Sequence, residues 1–312
     1  MTPTLTVGID AGLRFLDVGL APSGKTFRVP NCPEGIAALI TRLKEEGPHR
    51  VVLEAIGSYA QLAVNALVLA GFNVGVVNPR RIKAFREAEG RRAKTDKLDA
   101  QLIARFALKM TDDVRPLPSQ KAQLLKALAA RRRQLTEMIA MEKTRLKQAL
   151  DPLIIQSCRN AIEHLEEECG AIESKLEALV SEDPVLAKTM DILISIPGIG
   201  PRIATVLVAD LPELGKLDRK AIASLAGLAP HISQSGNMPP RAAIAGGRPC
   251  VRAALYMTAL VSVRHNKRFK AEYEAMRANG KRPKVALIAV ARKILVLANA
   301  LVRDGECYHL IQ

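Results

Sequence analysis

Apolar and polar residues alternate from the start of the chain. In Thr4-Leu5-Thr6-Val7-Gly8-Ile9-Asp10 every second position is polar or glycine, the period of a strand with one buried face. A turn follows at Ala11-Gly12, then a second strand, Phe15–Ala21, a turn at Pro22-Ser23-Gly24 and a third strand, Lys25–Val29. Pro33 opens a helix to about Glu46, with Ile36, Leu39, Ile40 and Leu43 on one face. Arg50–Ala55 reads as a short buried strand, "YAQLAVNALVLAG" as a helix stopped by Gly71, and "FNVGVVNP" as a strand ended by Asn78-Pro79. Three strands, helix, strand, helix, strand predicts an α/β layout that starts antiparallel and continues parallel.

From Ser119 to Ser181 the period lengthens. Leu124, Leu125, Leu128, Leu135, Met138, Met141 and Leu146 recur at three-to-four spacing, Asp151-Pro152 breaks the run, and Ile162, Leu165, Ile172, Leu176 and Leu179 resume it. Two long helices joined at a proline predict an antiparallel hairpin or coiled coil, with ordinary helical packing as the plainer alternative. Pro184 to Gly280 reads as helices and loops, and Pro283 to Val302 as one apolar helix that could pack back onto an earlier domain. Three domains are expected: 1–115 (α/β), 116–182 (helical hairpin) and 183–312 (all-α).

The chain has 312 residues, is 48% hydrophobic and contains four Tyr, six Phe and no Trp, so aliphatic side chains fill its cores. Its net charge of +15 implies a polyanionic partner, and nucleic acid is the commonest one. The five cysteines are scattered with no CxxC, which fits a reducing cytoplasm and not a disulfide framework. The five histidines lack metal-ligand spacing, so no zinc site is expected. The N-terminus reads as a strand, not a signal peptide. No apolar run reaches the roughly 18 residues of a membrane span.

Charge is concentrated before one helix. Arg80, Arg81, Lys83, Arg86, Arg91, Arg92, Lys94 and Lys97 fall within eighteen residues, and Asp96 and Asp99 follow three apart in "TDKLDA". Asp10 ends the first strand and Glu54 ends "VVLE", so both face the carboxyl edge where α/β sheets bind ligands. Thr95 or Asp96 caps the next helix, and residues three apart can present both carboxylates one way. Four converging carboxylates suit Mg²⁺ or Mn²⁺, and two such ions can clamp the oxygens of a phosphodiester. Taken singly, Asp96 reads as a helix cap and Asp99 as a surface acid; only the combination points to metal.

Two further segments carry chemistry. "ISIPGIGPRIATVLVADL", Ile194–Leu211, matches a helix-hairpin-helix, in which Gly198, Gly200 and Arg202 would hold a backbone phosphate at a helix N-terminus. "GLAPHISQSGNMPPRAAIAGGRPCVRAALYMTAL" places Ser233 and Ser235 in a loop followed by Arg241, Arg248 and Arg252. A serine there could attack a phosphodiester while guanidinium groups stabilise the developing charge. Taken alone, a serine in a glycine loop is usually just turn chemistry.

This order of motifs resembles the DEDD transposases of bacterial insertion sequences, the insertion sequence 110 family, over nearly the whole chain. The resemblance rests on Asp10, Glu54, "NPRRIKAFREAEGRRAKTDKLDAQLIA", "SIPGIGPRIATVLVADL" and "LAGLAPHISQSG…GGRPCVRAALYMTAL". It implies an RNase H-like (Holliday-junction-resolvase-like) N-terminal domain whose metal ligands are Asp10, Glu54, Asp96 and Asp99. It also implies a C-terminal domain whose Ser235 forms a phosphoserine link to DNA, Ser233 being the lesser candidate. Mg²⁺-dependent cutting and rejoining of double-stranded DNA, a composite site in a homo-oligomer (dimer or tetramer) and guidance by a structured bridge RNA follow from the resemblance alone. The alternatives are a junction-resolving nuclease that uses only the acids and water, a sugar-kinase-type ATPase built on "GIDAG", and a DNA-binding protein without catalysis.

Overall fold

The computed structural model describes residues 5–47, 50–54, 59–90, 95–110, 115–116, 119–233 and 241–309. The chain divides into two compact units, Met1–Pro118 and Ser119–Gln312.

The first unit is built on the predicted meander: β1 (Thr6–Ala11), β2 (Phe15–Ala21) and β3 (Thr26–Pro30) pair antiparallel. Helix α1 (Pro33–Glu46) leads to β4 (Arg50–Glu54), which runs parallel to β1, and α2 (Gln61–Leu69) leads to β5 (Val74–Val77), parallel to β4. Two residues of β6 (Arg115–Pro116) close the other edge, giving the order β3-β2-β1-β4-β5-β6. The expected antiparallel start and parallel continuation are therefore present.

The alternation decides which helices cover which face. Val7, Ile9, Leu16, Val18, Val51 and Leu53 point to one side and pack with Ile36, Leu39 and Leu43 of α1 and Ala63, Val64 and Leu67 of α2. The other side carries Val52 and Val77. It is covered by α3 (Pro79–Ala88) through Ile82 and by α4 (Asp96–Lys109) through Leu102, Ile103, Phe106 and Ala107. On that side α4 comes unusually close. A Cβ on Gly8 would lie inside the backbone of Ala100 and Ala104, and one on Gly19 would meet the backbone of Ala100 and Gln101.

The segment expected as a basic connector contains α3, which Asn78 caps by accepting from Arg80 N at 2.9 Å, with Pro79 at its first turn. Only Ile82 of α3 is buried, so the apolar period that announces most helices is missing there.

The second unit opens with α5 (Gln120–Gln148) and α6 (Pro152–Ser181), 29 and 30 residues long and packed along one another. The base of this hairpin, Leu125, Ala129 and Leu176, packs with Ala209. Where three domains were expected, hairpin and following helices thus form one unit. Those helices are α7 (Pro184–Ser195), α8 (Pro201–Asp210), α9 (Arg219–Leu225), α10 (Pro249–His265), α11 (Lys267–Ala278) and α12 (Pro283–Asp304). By length and composition α12 could cross a membrane, but Val290, Ala291, Ile294, Leu295 and Ala298 are fully buried with Leu193, Leu207, Ile222 and Leu255. Its Asn299 accepts from Gly215 N and donates to Leu217 O, both at 2.8 Å, which fixes the loop between α8 and α9.

The reading of this region as helices and loops needs one correction. Pro230–Ser233 (β7) and Arg241–Ile244 (β8) form an antiparallel pair, so Ser233 lies in a strand and not in a loop. The pair is four residues a side with His and Arg interspersed, too short to show a period of two.

Candidate functional site

Strand register gathers charge into one row. Asp10 on β1 pairs with Asp17 on β2, and Asp17 pairs with Arg28 on β3. On the other flank Ile9 pairs with Leu53, and one further step along these parallel strands sets Asp10 beside Glu54. Asp10, Asp17 and Glu54 share the face that carries Gly8, Gly19 and Val52, because side chains two apart on a strand point the same way. The row therefore runs Glu54–Asp10–Asp17–Arg28 across four neighbouring strands, at the carboxyl edge of β1 and β4.

Asp96 joins this row from above. Asp10, Asp17, Arg28 and Asp96 line one open cavity of about 240 Å³, with Arg14 and Phe15 at its side. Arg28 ties Asp17 and Asp96 together. Its Nε donates to Asp17 Oδ1 at 3.0 Å and its Nη2 to Asp17 Oδ2 at 2.8 Å, while the same Nη2 reaches Asp96 Oδ2 at 2.9 Å. The Asp17 carboxylate, and to a lesser degree that of Asp96, holds the guanidinium above its ordinary pKa. Phe15 lies under the guanidinium carbon at 5.2 Å from the ring centre.

Thr95, not Asp96, is the helix cap: it has extended φ and ψ of −145° and 151°, and its Oγ1 accepts from Leu98 N at 3.4 Å. Asp96 and Asp99 both fall in the first turn of α4, but they do not face the same way. The Asp96 side chain is 69% exposed on the β3 side. That of Asp99 is only 9% exposed and takes an ion pair from Arg86 of α3 at 2.5 Å. Each acid has its own arginine, one from a strand and one from a helix, and that divides the pair. Among the described residues no three His, Cys, Asp or Glu side chains are gathered closely enough to hold a metal ion. In kind, the donors fit a hard divalent cation well, since every candidate is a carboxylate.

Asp17 was missed by sequence reasoning. It is 3% exposed and lies in the same cavity as Asp10. A polar residue inside the apolar strand "FLDVGLA" was the available signal; its pairing with Asp10 appears only once the meander is in register.

The expected nucleic-acid contacts divide as well. Arg80, Arg81 and Lys83 are exposed on α3. Arg91, Arg92, Lys94 and Ser235 lie outside the described residues, as does the Arg241 side chain. Gly198 does not face outward. Its φ is +92°, and a Cβ there would strike Ser262 Oγ and approach Thr258 O of α10. Gly200 is exposed at the N-cap of α8 with nothing near its Cβ position, and Arg202 beside it is 76% exposed and 3.2 Å from Glu173.

Arg248 and Arg252, expected on phosphate, are engaged by the protein itself. Arg248 forks onto Glu213 at 2.5 and 2.6 Å and donates to Asp210 O at 2.9 Å. Arg252 donates to Gly246 O at 2.8 Å and Gly227 O at 3.5 Å. Arg252 thereby ties together the chain entering β7 and the chain leaving β8, while Arg248 ties the start of α10 to the end of α8 and the loop after it. Arg264, Lys267, Arg268 and Lys270 remain exposed, with Arg268 and Lys270 in loose pairs to Glu272 and Glu274.

Comparison with known proteins agrees across both units. A transposase family model of the DEDD, IS110 type matches residues 7–155, and a second, described as "Transposase IS116/IS110/IS902 family", matches residues 190–274. The "Pilin gene-inverting protein" of Moraxella bovis is 30% identical over 260 residues, covering 82% of this chain and 80% of that protein. The "Insertion element IS110 uncharacterized 43.6 kDa protein" of Streptomyces coelicolor is 28% identical over 158 residues, 50% of this chain and 38% of that protein. The solved structure "T. thermophilus RuvC in complex with Holliday junction substrate" aligns at 20% identity and a TM-score of 0.28, over 36% of this chain and 99% of that one; a likeness at that level adds nothing to the fold read from the strands.

Proposed function

The chain belongs to the IS110 family of transposases, and from that premise we propose that it cuts and rejoins DNA phosphodiesters at the carboxyl edge of β1 and β4. One observation carries the reading: the row of Glu54, Asp10 and Asp17 on neighbouring strands with Asp96 entering the same cavity. The meander and the parallel β4 and β5 support an RNase H-like reading of the first unit. In this reading Asp10, Glu54, Asp96 and Asp99 hold divalent magnesium or manganese, which requires Asp99 to exchange its ion pair with Arg86 for the cation. When bound, such a cation polarises the scissile phosphate and lowers the pKa of an attacking hydroxyl or water.

The chain's own residues do the rest. Arg80, Arg81 and Lys83 of α3 bind backbone phosphates next to the acids. The exposed N-terminus of α8, at Gly200 and Arg202, receives another phosphate through helix amides, as in a helix-hairpin-helix. Gly198 serves this turn by packing it on α10, not by touching DNA. Ser235 is proposed as the nucleophile on sequence grounds: its Oγ would bond to phosphorus as the strand's 3′ or 5′ oxygen leaves, taking the proton lost by the serine. A bridge RNA and a second copy of the chain, completing a composite site, are parts of the same proposal.

The test uses the full chain with the element's flanking DNA and its transcribed RNA. Asp10→Asn is expected to abolish Mg²⁺-dependent strand cleavage, by at least about a thousandfold, while DNA binding persists. Ser235→Ala should remove every denaturation-resistant protein–DNA adduct. Cleavage that continues in Ser235→Ala without adducts selects the junction-resolving nuclease instead. Cleavage retained in Asp10→Asn sinks both readings.

A further inference from the structure

We propose that Arg28, anchored by Asp17, is a positioning residue that occupies the cation's place on Asp96 in the metal-free protein and yields it when a divalent ion enters. The inference rests on the proposed metal-binding role of Asp10 and Asp96.

The two bonds of Arg28 are unequal. Towards Asp17 it offers a fork, Nε and Nη2 together, onto a carboxylate that is 5% exposed. Towards Asp96 it offers only Nη2, onto a carboxylate that is 69% exposed. A forked bond onto a buried carboxylate is strong and geometrically fixed, and breaking it would strand the Asp17 charge. The single exposed bond is weak and easily exchanged with water. A competing cation therefore takes Asp96 and leaves Arg28 on Asp17. Phe15 under the guanidinium and the register partner Asp17 fix where Arg28 stays.

This arrangement also accounts for Asp17. Without Arg28, the buried Asp17 carboxylate would share its cavity with that of Asp96 and have neither fork nor ion pair from β3. Arg28 offsets the charge of those two acids. It also lowers the cavity's affinity for any second cation, because like charges a few ångströms apart repel.

The experiment is a Mn²⁺ titration of the full chain at low salt, followed by calorimetry and by the rise in melting temperature on adding Mn²⁺. Arg28→Gln is expected to bind Mn²⁺ about tenfold more tightly than wild type, with a lower melting temperature in EDTA and a larger rise on adding metal. Arg28→Lys keeps the charge and should stay within about threefold of wild type. Should Arg28→Gln be too unstable to study, Asp17→Asn/Arg28→Gln removes the buried charge with its partner and is expected still to bind more tightly than wild type. The double variant leaves the net charge unchanged and frees no carboxylate but that of Asp96, so tighter binding there reports the release of Asp96 by Arg28. Weaker binding in Arg28→Gln or in the double variant overturns the proposal, since Arg28 would then be holding Asp96 ready for the metal. Asp10→Asn separates the two levels: if it binds Mn²⁺ as well as wild type does, the metal site itself is wrong and not only the role of Arg28.

Discussion

Gly8 is the residue on which the carboxylate row most depends. It stands two residues before Asp10, on the face covered by α4, where a Cβ would enter the backbone of Ala100 and Ala104. Helix backbone cannot rotate aside as a side-chain tip can. Gly8→Ala must therefore push α4 outward, and overpacking of this kind costs about 1–3 kcal/mol or more. Urea denaturation should show that loss, and Mg²⁺-dependent cleavage should fall with it because Asp96 and Asp99 move with α4. Unchanged stability would mean that α4 sits farther from β1 than described. Asp17 shows the limit of single-residue reading. An acid inside "FLDVGLA" looks like a blemish in a strand until its neighbours across the sheet, Asp10 and Arg28, are known. That Asp10 and Glu54 stand at strand ends was legible because Ala11-Gly12 and Gly57-Ser58 follow them as turn residues.

At the scale of elements, the start of α4 controls how the two acids divide. Thr95 caps it, and Asp96 and Asp99 occupy the first turn, where negative charge suits the helix N-terminus. Thr95→Ala is expected to destabilise by about 1 kcal/mol, whereas Thr95→Asp, which restores a capping oxygen, should recover most of it. A thermal melt of the three proteins checks this, and equal melting temperatures for all three would deny Thr95 a capping role. The elements legible in sequence were those with a plain period or plain punctuation. Helix α1, between Pro33 and Glu46, has both. The hairpin of α5 and α6 was legible from its spacing and from Asp151, which accepts from Leu153 N at 2.8 Å. Helix α3 was hidden because one buried residue makes no stripe. The β7–β8 pair was hidden because four residues make no alternation. The internal partners of Arg248 and Arg252 were hidden for a related reason: an arginine's charge is visible in sequence, whereas Glu213 and the Gly227 carbonyl that engage it are distant in the chain.

For the molecule as a whole, the net charge of +15 makes salt the most direct probe of nucleic-acid binding. Affinity for non-specific duplex should fall steeply as salt rises, since each neutralised phosphate releases counterions. Replacing Arg80, Arg81 and Lys83 together by Ala should flatten the log–log slope by about 2–3 and weaken all sequences alike. Replacing Arg248 should leave the slope unchanged and lower stability instead, because its fork to Glu213 is internal. Equal slopes for the wild type and the α3 triple variant would remove α3 from the interface.

The near-contact of α4 with two glycine-bearing strands has a consequence for how such proteins diversify. Gly8 and Gly19 meet the backbone of α4 at Ala100, Gln101 and Ala104, so neither glycine can grow without moving that helix. They form a unit of exchange: a chimera that takes "TDKLDAQLIARF" from one relative must take the glycines of β1 and β2 from the same parent or from one equally small. Side-chain rotation is then the freedom left to the acids on that helix, and crossover points in a designed hybrid belong outside the span from Thr6 to Lys109.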